Sequence, residues 1–217
     1  MKKIFSSNMN IDKNAYMNYR TDGETHINNM VTLAEGFMCS SLSLAEQLIN
    51  NNKLSQADIL IYPILFNANH AIELYLKAIS WTLNLLNSSK EKFIRNHQLK
   101  DLLNDAKKLI NNYETNTNGS SHFNEAIKPL ESYIDELYEK IEEVIKDGKK
   151  KYNIDFSRYP LDYNGEPQFY IIELDNVVID LENFHTVFKN IHKTLDETVN
   201  HYLFTVADKW EWEAEGI

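Results

Sequence analysis

Residues 55–86, SQADILIYPILFNANHAIELYLKAISWTLNLL, decide the fold. Wound as a helix, this run is apolar over most of its circumference, which marks an element enclosed by others and not one laid on a surface. It is the predicted central helix. Ser55 followed by Asp58 stands in the order of a capping box, with Asp where Glu or Gln is preferred. Pro63 removes one backbone donor and crowds the preceding turn, which predicts a kink or a break into two helices there.

Working outward, the neighbours are helical as well. From Glu24 to Asn50, Ile27, Met30, Leu33, Ala34, Phe37, Met38, Leu42, Ala45, Leu48 and Ile49 recur at three- and four-residue steps. Residues 97–113 carry a stripe of Leu99, Leu102, Leu103, Ala106, Leu109 and Ile110, and residues 114–122 have loop composition. A fourth helix is predicted over 123–146 on Ile127, Leu130, Ile134, Leu137, Ile141 and Ile145, with Pro129 in its first two turns, where a missing N–H does least harm. A last one runs from Val178 to Lys209 with Leu181, Phe184, Phe188, Ile191, Leu195, Tyr202 and Val206 inward. Between these two, residues 149–176 are aromatic and β-branched around Asn164-Gly165, the strongest short hairpin signal in the chain. An arm over 1–22 and a fraying tail over 210–217 complete a single domain without internal repeats or long linkers. The expected fold class is all-α, an up-and-down bundle of four to five helices with a small β-hairpin insert before the last helix.

Composition narrows the function classes. The 217 residues include 6 Gly and 4 Pro, too few turn residues for an all-β chain, and 22 Lys and Arg against 32 Asp and Glu leave a formal charge of −10. That charge repels a polyphosphate unless the cations gather on one face, so a general nucleic-acid coat is disfavoured. Cys39 stands alone and forms no internal disulfide or Cys-rich zinc site, which suits a reducing compartment. No leader-like apolar stretch follows the initial lysines and no window reaches ~18 uninterrupted apolar residues, so a cytoplasmic protein without a membrane span is expected. Walker-type phosphate loops, the GxSxG elbow and HExxH are all missing from the sequence.

Chemistry concentrates in Asn69-His70-Ala71-Ile72-Glu73-Leu74-Tyr75-Leu76-Lys77-Ala78 and in Arg95-Asn96-His97-Gln98-Leu99. On a helix, His70, Glu73 and Lys77 share one stripe, because steps of three, four and seven residues return to the same face. In one reading the row is an exposed Glu73–Lys77 pair contributing ~0.3–0.5 kcal/mol with His70 beside it. In the other it is partly buried and meets His97 at the start of the next helix, forming a desolvated cluster able to hold a base or a phosphate. The stripe His185, Lys189, His192 and Asp196 on the last helix is a weaker candidate for zinc; no metal or other cofactor is expected. Trp210 and Trp212 either dock a partner or pack back on the bundle, and Lys146, Lys149, Lys150 and Lys151 complement the negative end of the fourth helix.

HAIELYLKA (residues 70–78) and HQLKDLL (97–103) together resemble the HEPN superfamily, named for nucleotide binding in higher eukaryotes and prokaryotes, with Gln98 where that family usually has Asp. The likeness covers Ser55 to Tyr113, and Arg158-Tyr159-Pro160-Leu161-Asp162 with Gly165 is similar to an arm found in one bacterial branch. It implies homodimerisation and a role in RNA metabolism, toxin–antitoxin pairs or phage defence. The ligand-binding set it suggests is His70, Glu73, Lys77, His97, Arg158, Tyr159 and Asp162.

Active members of that family carry an Arg, four to six residues and then a His at the start of a late helix. Here His185 has no Arg at that distance, and the only pair so spaced is Arg20 and His26, ahead of the first long helix. Catalytic candidates are therefore His70, His97, Arg20 and His26. Metal-free RNA cleavage needs a base and a cation to stabilise the phosphorane, which His and Arg supply. The expectation is a HEPN-like module binding RNA, a nucleotide, or a protein partner such as an antitoxin or defence-system component, without the full RNase motif. A metal-independent endoribonuclease and a purely structural interaction protein are the alternatives.

Overall fold

The structure, a computed structural model, describes residues 3–21, 25–115, 118–144, 150–162 and 164–215; of residues 143, 144, 150, 151 and 209–215 it describes the backbone only. It is mostly helical. Helix α1 (His26–Asn50) and α2 (Ala57–Leu86) form the largest packed pair, α3 (Leu99–Tyr113) lies against α2, and the two short helices α4 (Gly119–Ala126) and α5 (Lys128–Ile141) follow. Strands β1 (Glu142–Val144) and β2 (Lys150–Tyr152) pair antiparallel, α6 (Phe169–Ile172) is a single turn, and α7 (Leu181–Glu215) packs on both α1 and α2.

Helix α2 is the centre of the core, as its apolar circumference requires. From Ile64 to Leu86 its buried side chains include Ala68, Ile72, Tyr75, Leu76, Ile79 and Leu83, enclosed by α1, α3 and α7. Small residues on α1, among them Ala34, Ser41 and Ala45, let the two axes approach, and Ser41 Oγ donates to the Ile64 carbonyl at 2.8 Å. By length and composition alone α2 would also cross a membrane, the one described helix that would, with a mean hydropathy of 1.2 over its best window. Truncating a fully buried aliphatic such as Leu76 to Ala would cost about 2–5 kcal/mol.

Several boundaries depart from the sequence pattern. Helix α2 runs through Pro63 without a break. Pro63 sits on the exposed side near Ile59 and Tyr62, where the carbonyl it frees can bond water. The single fourth helix predicted over 123–146 is instead two, because Pro129 cannot donate back to the preceding turn; α4 ends at Ala126 and Pro129 opens α5. Helix α4 also takes in residues 119–122 of the predicted loop, and α5 ends at Ile141. Ile145, Lys146 and Lys149, and the side chains of Lys150, Lys151, Trp210 and Trp212, lie outside the described residues. The backbone of α7 stays helical to Glu215, so the tail expected to fray from residue 210 continues the helix.

The hairpin expected around Asn164-Gly165 is not formed. Leu161 and Pro167 make one isolated bridge, and Pro160 and Pro167, lacking N–H groups, leave no ladder to extend. The turn is closed by Asp162, whose Oδ1 accepts the backbone N–H of Asn164 at 2.7 Å and of Glu166 at 2.9 Å, while Gly165 adopts φ +84°.

Candidate functional site

One face of α2 carries Phe66, His70, Glu73, Lys77 and Trp81 at steps of four, three, four and four residues, the helical repeat of a single stripe. Its middle is buried: Glu73 is 9% and Lys77 7% exposed. Lys77 Nζ donates to Glu73 Oε1 at 2.7 Å, and His97 Nδ1 lies 2.9 Å from the same oxygen. His70 Nδ1 stands 3.9 Å from Glu73 Oε2, an electrostatic contact longer than a hydrogen bond. Burial alone would push the Glu73 carboxyl upward, but His70, Lys77 and His97 outweigh it and hold the group down at about 2. Glu73 is thus an ionised carboxylate inside the protein, with three nitrogen groups gathered on it.

His97 reaches this carboxylate because the start of α3 is pinned. Tyr138 of α5 donates to Gln98 Oε1 at 2.8 Å, and the Asn96 amide donates to Asp101 at 3.0 Å across the first turn. Burial pushes the Tyr138 phenol up to about 12, so it stays a neutral donor. Gln98 therefore holds the register of the helix that delivers His97. The His97 side chain is 76% exposed, and no protein group among the described residues bonds its Nε2. One ring nitrogen is fixed by a carboxylate and the other is presented outward, the arrangement by which a carboxylate orients an imidazole.

The cluster extends through stacked rings. Phe66 lies parallel to His70, with centroids 5.7 Å apart and planes at 7°, and Phe37 of α1 meets His70 edge-on at 4.6 Å. Arg158 sits over the Phe66 ring at 5.4 Å and over Tyr159 at 5.3 Å, and donates to Asp155 at 3.0 Å. Two rings and a carboxylate thus orient a guanidinium that remains half exposed, one ring away from His70. At the other end Lys77 Nζ lies 5.5 Å from the centre of Phe93, which packs on Trp81 at 5.7 Å.

The candidates read from the sequence accordingly divide. His70, Glu73, Lys77 and His97 come together in one cluster, with Arg158 and Tyr159 joined to it through Phe66. Asp162 is buried in the turn it organises, and its side chain serves backbone amides there. Arg20 is tied to α1 by its carbonyl, which accepts from Thr32 Oγ1 at 3.3 Å, whereas His26 stacks on Trp81; no hydrogen bond or ring contact joins Arg20 to His26. On α7, His192 Nε2 and Asp196 Oδ1 lie 3.1 and 3.4 Å from the Tyr75 hydroxyl. No group of three or more His, Cys, Asp or Glu able to hold a metal occurs among the described residues.

Phe66, Phe93, Trp81 and Lys92 are neighbours along this stripe that the sequence pattern alone does not single out. The spacing from Phe66 through Trp81 is a signal, but aromatic residues at helical steps read first as core. No family model, no curated protein and no solved structure matches the chain.

Proposed function

We propose that the chain is a HEPN-like helical module, an up-and-down bundle acting as a homodimer, that binds RNA or a nucleotide in a phage-defence or toxin–antitoxin setting. The observation that carries this reading is the convergence of Lys77, His97 and His70 on the buried, ionised Glu73, with Arg158 oriented one ring away. Lys77 neutralises the carboxylate; the half-exposed Arg158 then supplies N–H donors at the surface, and the ring nitrogens of the half-exposed His70 and the exposed His97 are available beside the carboxylate. A phosphate oxygen is the acceptor that suits an exposed guanidinium with an imidazole one ring away. The −10 net charge is not an obstacle here, because the α2–α3 connection carries Lys90, Lys92 and Arg95 against Glu91 alone.

The test is titration of the full chain with uridine monophosphate, followed by calorimetry, for wild type and Arg158→Ala. The expected result is a loss of about tenfold or more in affinity, the worth of a charge-assisted hydrogen bond, with an unchanged melting temperature. Equal affinity in the two proteins would remove Arg158 from the site.

The endoribonuclease reading is favoured by one observation, the carboxylate-oriented His97. In that reading His97 takes the 2′-hydroxyl proton, the 2′-oxygen attacks phosphorus, the 5′-oxygen leaves and takes a proton from water to become a hydroxyl, and Arg158 balances the charge on the phosphorane. Incubation with transfer RNA in the presence of a chelator should then yield 2′,3′-cyclic phosphate ends that disappear in His97→Ala. Intact RNA at high protein concentration would reject the reading and leave the binding module.

A further inference from the structure

The stripe on α2 does not stop at the Glu73 cluster. Fifteen residues separate Phe66 from Trp81, about 22 Å along the helix at 1.5 Å per residue. Over that distance aromatic and cationic groups follow one another in contact: Arg158 on Phe66, Phe66 on His70, His70 and Lys77 on Glu73, Lys77 on Phe93, Phe93 on Trp81. At the far end the exposed Lys92 ammonium lies 4.6 Å from the centre of Trp81. The exposed His26 faces the same indole, nearly parallel at 16° with centroids 6.3 Å apart.

Trp81 and His26 are among the residues that line a cleft of about 650 Å³ between α1, α2 and α7, together with Val31, Leu85, Leu203 and Phe204. The cleft is mostly apolar, with Thr25, Asn28, Thr32 and Asn200 also in its walls, an imidazole and an indole side by side in its lining, and a lysine on the indole. Phe204 is 72% exposed there, a large side chain left uncovered beside a cavity. A flat, polar-edged ring is the shape such a slot accepts. The chemistry that joins flat rings at intervals to negative charges is a single-stranded nucleic acid, whose bases stack on aromatic faces while cations follow the backbone. Charge complementarity singles out this occupant. The connection that covers this side of α2 is basic in a chain that is otherwise acidic, with Lys90, Lys92 and Arg95 exposed along it.

We propose that the Arg158 and Glu73 cluster is one end of a track for single-stranded RNA, with the cleft between His26 and Trp81 taking a base at the other end. The track spans on the order of four nucleotides, the short end of the range for single-strand sites. It rests on the nucleotide-binding reading of the Glu73 cluster and adds to it the substrate class: an oligonucleotide bound along α2, in place of a lone nucleotide.

The experiment measures fluorescence anisotropy of a fluorescein-labelled oligouridine of eight residues on the full chain, beside uridine monophosphate as competitor. Wild type, Arg158→Ala, His26→Ala and Lys92→Ala are compared; all three substituted side chains are exposed, so the fold is not at stake. The octamer should bind at least about tenfold more tightly than the mononucleotide, the gain one stacked base contributes. His26→Ala and Lys92→Ala should each remove most of that gain and leave the mononucleotide affinity within about twofold. Arg158→Ala should weaken both ligands. An octamer no tighter than the mononucleotide, or a gain that survives in both cleft variants, overturns the track while leaving the mononucleotide site standing. Octamer binding that depends on His26 and Lys92 but is indifferent to Arg158 keeps the cleft and overturns the joined track together with the anchor at Arg158.

Discussion

Helix α2 carries two buried polar clusters, and they differ in one respect that matters. On one face Glu73 is gripped by Lys77 and His97. On another, the fully buried Tyr75 directs its hydroxyl to His192 and Asp196 of α7. Each ties a residue of α2 to a histidine outside that helix, His97 just ahead of α3 and His192 on α7. The Tyr75 cluster is neutral at its centre: burial, with Asp196 and Glu35 nearby, pushes the phenol well above its ordinary range, and its donor and acceptors answer one another. The Glu73 cluster holds a pair of opposite charges in a buried place and continues into side chains that face solvent, the Arg158 guanidinium among them. Burial of polar groups is thus common to a structural tie and to the proposed binding site; what separates them is whether donors remain at the surface once the internal partners are counted.

The largest consequence of this difference is in stability. Glu73→Ala leaves the Lys77 ammonium buried without a counter-charge and should cost about 3–5 kcal/mol in a urea unfolding experiment. A loss under 1 kcal/mol would mean that Lys77 escapes to solvent, and the two clusters would no longer differ in kind.

Acid should act on the same group. Glu73 has its ordinary value near 4.5 and is held at about 2 in the fold. A carboxylate whose folded-state value is depressed contributes stability that is fully present above the unfolded value and is lost as pH falls through the folded one. The window is therefore from about pH 4.5 to about 2, and the contribution lost is on the order of 3 kcal/mol. Melting temperatures followed across that window should fall more steeply for wild type than for Glu73→Gln. Parallel curves would place the acid sensitivity elsewhere.

Tyr75→Phe should be milder, about 0.5–1.5 kcal/mol, because His192 and Asp196 are half exposed and water can replace the lost hydroxyl. A cost equal to that of Glu73→Ala would show that the α2–α7 tie bears as much as the charged cluster. Smallest in stability is His97→Ala, whose exposed side chain should change it by less than about 0.5 kcal/mol.

How much of this the chain declares in advance depends on the range of the interactions involved. The inward stripe of α7, from Phe184 through Phe188, Ile191, Leu195, Tyr202 and Val206, is legible because a helix repeats its own geometry; Val199, buried on the same face, is the one deeply buried position there that the stripe leaves out. The meeting of His70, Glu73 and Lys77 with His97 is legible for a related reason: three share a helical face and the fourth opens the next helix. The hairpin at Asn164-Gly165 fails because Pro160 and Pro167 remove the donors a ladder needs, a constraint that outweighs the turn signal. The split at Pro129 follows from the same missing N–H. Arg158 over Phe66, and Trp81 between His26 and Phe93, join residues that no local period relates, so only the packed structure brings them together.

The most direct measurement is the affinity of His97→Ala for fluorescein-labelled oligouridine, taken beside its melting temperature. A surface site anchored by Glu73 requires binding to weaken by about tenfold or more while the melting temperature holds. Undiminished binding together with a lowered melting temperature would contradict it, and would make the gathering of side chains on Glu73 a tie between helices like the one at Tyr75.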